Sequence, residues 1–107
     1  MTTDDDTIYW IQRVDDHSDD PTVEAVAKQG GSPRIIASIK NATAITTSPT
    51  AVYFVATDRG VSEIWSVEKP NGTPQLLGHC DPANELLWHD GWLWWASDAG
   101  IRRFAAP

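Results

Sequence analysis

The chain has 107 residues, enough for one ordinary domain with one hydrophobic core. Fifteen acids against eight Lys and Arg give a net charge of -7, which argues against nucleic acid as a partner, because phosphate binding needs clustered basic residues. No run of about 18 apolar residues exists to span a bilayer, and Cys80, the single cysteine, can form neither an intrachain disulfide nor a thiolate metal cage.

Seven of the fifteen acids (Asp4, Asp5, Asp6, Asp15, Asp16, Asp19 and Asp20) fall in the first twenty residues, leaving the remainder almost neutral. The opening Met1 to Asp6 lacks the basic and apolar regions of an export signal, so neither a signal peptide nor a transmembrane segment is expected, and the chain is read as soluble. No segment of ten residues keeps a 3.6-residue apolar period, whereas short β-branched and aromatic runs recur between turn residues. Strands are therefore predicted over Thr7 to Arg13, Thr22 to Lys28, Pro33 to Ile39, Ala42 to Thr47 and Ala51 to Thr57. They continue over Val61 to Val67, Pro74 to Gly78, Asn84 to His89, Trp92 to Ser97 and Ile101 to Ala105.

Turn chemistry punctuates these runs. Asp90-Gly91 supplies the positive φ of a two-residue type I′ hairpin, so His89 should oppose Trp92 and Leu86 should oppose Trp95. Gly30-Gly31 and Asn71-Gly72 each precede a proline that starts a strand, and a proline that cannot donate to a ladder places that strand at a sheet edge. Asp15 to Pro21 reads as a longer polar connection.

The elements repeat. Ile8-Tyr9-Trp10 returns as Val52-Tyr53-Phe54 after 44 residues and as Leu93-Trp94-Trp95 after another 41, and Gly31-Ser32-Pro33 returns as Gly72-Thr73-Pro74 at 41. A period of this size marks a solenoid or propeller unit. Pairing around Asp90-Gly91 puts Leu86, Trp88, Leu93 and Trp95 on one face and Leu87, His89, Trp92 and Trp94 on the other, so both faces are apolar. Sheets covered on both sides without helices are expected to stack face to face around an axis.

Tyr53-Phe54-Val55-Ala56-Thr57-Asp58-Arg59-Gly60 and Trp94-Trp95-Ala96-Ser97-Asp98-Ala99-Gly100, an aromatic strand closed by an Asp-x-Gly turn, resemble the β-propeller repeats of the YWTD, NHL and TolB-like groups. The first copy lacks the Asp-x-Gly pair, and Phe54 stands where a tryptophan is usual. The resemblance implies an all-β, partial β-propeller: a single repeat domain over residues 1–107, with blades at about 7–39, 42–78 and 84–105. By strand position this counts as the second to fourth strands of one blade, all four of the next and the first three of a third. Two to three blades fall short of the four to eight that close a ring, so the ring is expected to be completed by a homo-oligomer, with a head-to-tail dimer preferred; the other option is a piece of a longer propeller. The open ends are expected to be rich in Ile8, Tyr9 and Trp10 on one side and in Trp92, Trp94 and Trp95 on the other.

Chemistry has few carriers. Asp15-Asp16-His17-Ser18-Asp19-Asp20 has oxygen ligands for calcium but lacks the glycine and distal Glu of an EF-hand loop, and is read as solvated. His79-Cys80-Asp81, in the link between the second and third blades, joins adjacent residues whose side chains diverge on an extended chain, so a structural role is read there. His89-Asp90 reads as turn chemistry, and Asn41-Ala42-Thr43 and Asn71-Gly72-Thr73 match glycosylation sequons that matter only on a secretory route. No catalytic, metal or cofactor site is expected. A ligand site, if aromatic, is placed at Trp88, His89 and Trp92 beside the hairpin turn. The function read is non-catalytic binding or scaffolding toward a protein, peptide or glycan ligand. The alternatives are a sugar-binding ring using interblade aromatics and a fragment of a propeller enzyme such as a lactonase.

Overall fold

The structure is a computed structural model and describes residues 2–4, 6–12, 22–38, 42–58, 61–69, 72–80, 85–97 and 100–105. Within these, antiparallel strands follow one another in chain order as three meandering sheets. The first contains β1 (Thr2–Thr3), β2 (Thr7–Gln12), β3 (Thr22–Ala27) and β4 (Arg34–Ser38). The middle sheet holds β5 (Ala42–Thr47), β6 (Ala51–Asp58), β7 (Val61–Glu68) and β8 (Gln75–Cys80), and the third holds β9 (Glu85–His89), β10 (Trp92–Ser97) and β11 (Gly100–Ala105).

Ten strands lie where the turn and alternation signals put them. The strands after Pro33 and Pro74 are sheet edges, as the missing proline donors require. Asp90 and Gly91 have φ of 50° and 83°, the signature of a type I′ turn, and the register is His89 with Trp92, Trp88 with Leu93, Leu87 with Trp94 and Leu86 with Trp95. Gly72 closes a tighter corner: its N–H donates to the Glu68 carbonyl at 2.7 Å, and a Cβ there would lie 2.7 Å from that same oxygen.

Three features of the strand layout depart from the sequence reading. β1 pairs with β2, Thr2 opposite Tyr9 and Thr3 opposite Ile8, so the first sheet has its inner strand and four strands rather than three. β8 runs on to Cys80, pairing His79 with Glu63 and Cys80 with Ser62, so these residues belong to an edge strand rather than a link. The third departure is a bulge repeated at a spacing of 41 residues: β4 shifts register opposite Val23 and Glu24, and β8 does so opposite Ile64 and Trp65. The extra residues, Ile36 and Leu77, turn into the packed interfaces, while Ile35 and Leu76 stay 64% and 45% exposed. A bulge re-aims a side chain in this way because it places two residues opposite one.

Two cores result, one on each side of the middle sheet, correcting the single core expected from chain length, because a stack of sheets buries a separate layer at each interface. Val52, Phe54 and Val67 pack against Tyr9, Val23, Ala25 and Ala37 of the first sheet. On the opposite face, Tyr53, Val55 and Ile64 pack against Leu86, Leu93 and Trp95 of the third. Burying each large side chain contributes about 1.5–3 kcal/mol. One rule covers all three repeats: the first and third residues of the aromatic triplet face the preceding sheet, and the second faces the following one. Tyr9 and Trp95 therefore point inward and are buried, correcting the expectation that they lie on the open ends. The outward faces carry Ile8 and Trp10 at one end and Leu87, Trp92 and Trp94 at the other. Among the described residues no helix is long and apolar enough to cross a membrane.

Candidate binding surface

The inner strands converge on one side of the stack, and a groove of about 1090 Å³ runs along it. Trp10 and Ile11 of β2, Ile45 of β5, and Leu87, Trp94 and Ile101 of the third sheet supply its apolar lining. Leu87 and Ile101 are 58% and 75% exposed, large for aliphatic side chains in a packed domain. Two polar ties hold the inner strands in place. The Trp88 backbone N–H donates to Thr46 Oγ1 at 3.1 Å, joining the middle and third sheets. Between the first and middle sheets, Lys69 Nζ donates to Asp4 Oδ2 and to the Ser48 carbonyl, at 2.6 and 2.7 Å, and lies 5.2 Å from the Tyr9 ring centre.

Asp4 is the anchor of β1. Its Oδ1 accepts from the backbone N–H groups of Asp6 and Thr7, and its Oδ2 accepts from the Tyr9 hydroxyl. Desolvation pushes the Asp4 carboxyl up, but the Lys69 ammonium, the two backbone donors and the Tyr9 hydroxyl together outweigh it and hold the group well below the usual carboxylate range. Tyr9 moves the other way: burial, then its bond to the Asp4 carboxylate and that group's charge, raise the phenol above its ordinary value. The ends of this cluster are 15% and 23% exposed at Lys69 and Asp4, so solvent screens the ion pair only in part.

The outward face of the third sheet has its own construction. Arg103, opposite Trp94 in the β10–β11 ladder, lays its guanidinium 4.1 Å from the Trp92 ring centre and 5.1 Å from that of Trp94. This cation–π ladder covers two indoles with a flat charged group. His89 and Trp92 share that face as a directly opposed pair, and His89 Nε2 lies 3.3 Å from Asp90 Oδ2 at the turn. Trp88 points the other way and packs on the core between the middle and third sheets. Of the three residues singled out in the sequence, the fold thus brings His89 and Trp92 together and sends Trp88 to an interface, as Trp65 is sent to the interface on the other side. Arg103 went unnoticed, and Trp10 was placed on an open end but not named as a ligand residue. Counting register through the turn before β11 would have placed Arg103 on the Trp92 and Trp94 face.

His79 Nε2 stands 3.5 Å from Glu63 Oε2 at the edge of the middle sheet. The acidic run Asp15 to Asp20, Asp81, and the sequon asparagines Asn41 and Asn71 lie outside the described residues. Among the described residues no group of three His, Cys, Asp or Glu is positioned to hold a metal ion.

No protein-family model matches the sequence, and no curated protein matches it. A solved structure does: a chain in a crystal structure of a nidogen/laminin complex matches 92% of this chain with a TM-score of 0.73 at 20% sequence identity. The match is to the YWTD β-propeller of nidogen. The three sheets are arranged as propeller blades. The present chain spans 40% of the length of the nidogen chain, which is the extent of a partial ring.

Proposed function

We propose that this chain is a non-catalytic binding and scaffolding module, and that two copies join head to tail to close one propeller ring that presents a protein-binding surface. The observation that carries the reading is the contrast in cover. The middle sheet has both apolar faces packed, while each terminal sheet has one packed face and one outward face bearing aromatics and aliphatics. Proteins seldom expose contiguous apolar patches beyond a few hundred Å², and joining the two outward faces removes both at about 25 cal/mol per Å² of apolar area. A two-fold pairing of three-sheet units encloses six sheets, within the range in which propellers close. The nidogen match comes from a complex with laminin, and this supports a protein as the ligand class. In this reading Trp92 belongs to the junction and His89, 70% exposed at its side chain, lies at the junction's rim beside the hairpin turn.

Size-exclusion chromatography with light scattering tests the ring. A mass of twice 11.8 kDa is expected. A folded, monodisperse single-chain species across the accessible concentration range overturns the proposal.

A further inference from the structure

The two junctions inside the chain follow the same rule at their third strands. Register puts Ala25, opposite Tyr9, on the face of β3 that meets the middle sheet, and Trp65, opposite Phe54, on the face of β7 that meets the first; both belong to one packed cluster. At the next junction the corresponding positions are Ser66, opposite Tyr53, and Arg102, opposite Trp95. Carried to the outward faces, the same positions are Arg103, opposite Trp94, and Glu24, opposite Trp10. The two internal junctions are thus neutral or singly charged at this point, whereas the open ends hold charges of opposite sign.

We propose that Arg103 of one copy pairs with Glu24 of another across the junction, and that this pair selects a second copy of the same chain as the occupant of the third sheet's outward face. The inference rests on the two-copy ring. Each group is held ready for it. The Arg103 guanidinium lies over the Trp92 and Trp94 rings on the outward face, and its several N–H donors suit a carboxylate. Glu24 is half-buried, and its Oε2 accepts from Thr22 Oγ1 at 2.8 Å, which fixes the carboxylate against the strand. Glu85 shares the Arg103 face but sits on β9, two strands away, roughly 10 Å from β11 at ordinary strand spacing. A charge enclosed in an apolar junction is costly without a partner, so the ring needs an acid at this place and the other end of the chain provides one.

Charge reversal reads the pairing directly. Arg103→Glu alone sets two carboxylates against each other at both junctions of a homodimer, and Glu24→Arg alone sets two guanidinium groups against each other. Each is expected to weaken self-association about tenfold or more, with circular dichroism unchanged because both side chains are on outward faces. Mixing the two single variants restores one complementary pair at each junction, so heterodimers are expected to form at close to wild-type affinity, measured by sedimentation velocity with one partner labelled. The double variant is expected to self-associate like the wild type. Wild-type dimers with single variants that still self-associate fully and show no preference for each other overturn the pair while leaving the ring. A wild type that stays a single chain overturns both.

Discussion

The middle and third sheets are built on the same triplet, yet the first is enclosed and the second half open. In β6, Val52, Tyr53, Phe54 and Val55 are all buried. In β10, Leu93 and Trp95 are buried but Trp94 between them is not. The difference lies in the neighbours rather than in the strand. A sheet with a blade on each side needs apolar residues at every position, and one with a single blade beside it carries the same residues with half of them uncovered. The third sheet thus carries, on its outward face, the kind of aromatic residues that the middle sheet buries on both of its faces.

The sharpest way to break this comparison is to truncate one aromatic on an enclosed face and one on the open face. Phe54→Ala empties a closed core and is expected to cost about 3–5 kcal/mol in urea unfolding, independent of protein concentration. Trp94→Ala touches only the open face, and its penalty is expected to grow with protein concentration because it acts through association. Equal, concentration-independent costs would contradict the difference drawn between the sheets.

The polar tie at the other end gives the next largest effect. Asp4→Asn removes the charge that holds Lys69, Tyr9 and the first turn, and a loss of about 2 kcal/mol at neutral pH is expected. The folded-state carboxyl is depressed, so its stabilisation is complete above the ordinary carboxylate value of about 4 and is lost as pH falls below it. The wild type should show this acid limb in pH-dependent melting, and the Asn variant should flatten it. A limb of equal slope in both would assign the loss to other carboxylates. The smallest effect is at the hairpin: Gly91→Ala forces a side chain into φ of 83° and is expected to cost about 1 kcal/mol, read as a lower melting temperature with no change in subunit count.

Much of this architecture is legible in the residues. Asp90-Gly91 sets the β9–β10 hairpin and its register, because few dipeptides accept two consecutive positive φ angles, and Pro33 and Pro74 mark edge strands through the donor they lack. The candidate surface is less legible. The face assignments around Asp90-Gly91 are right, but choosing Trp88 with His89 and Trp92 followed proximity to the turn, and period-two alternation sends Trp88 to the opposite side. β1 escapes detection because Thr2 and Thr3 carry no apolar pattern; Asp4, by folding back onto Asp6, Thr7 and Tyr9, makes the strand. The repeated bulge escapes for a similar reason, since Ile35-Ile36 and Leu76-Leu77 are paired aliphatics that alternation cannot tell apart.

What the residues determine alone is local: strand positions, turn types, pairing within hairpins and a period near 41, all set by backbone preferences acting over a few positions. Which member of each aliphatic pair enters a core, how Asp4 reaches Lys69 across 65 positions, and which of two oily faces finds a neighbour were decided only by the stacking of sheets. Burial depends on what lies opposite, and in a stack of sheets what lies opposite comes from a distant part of the sequence.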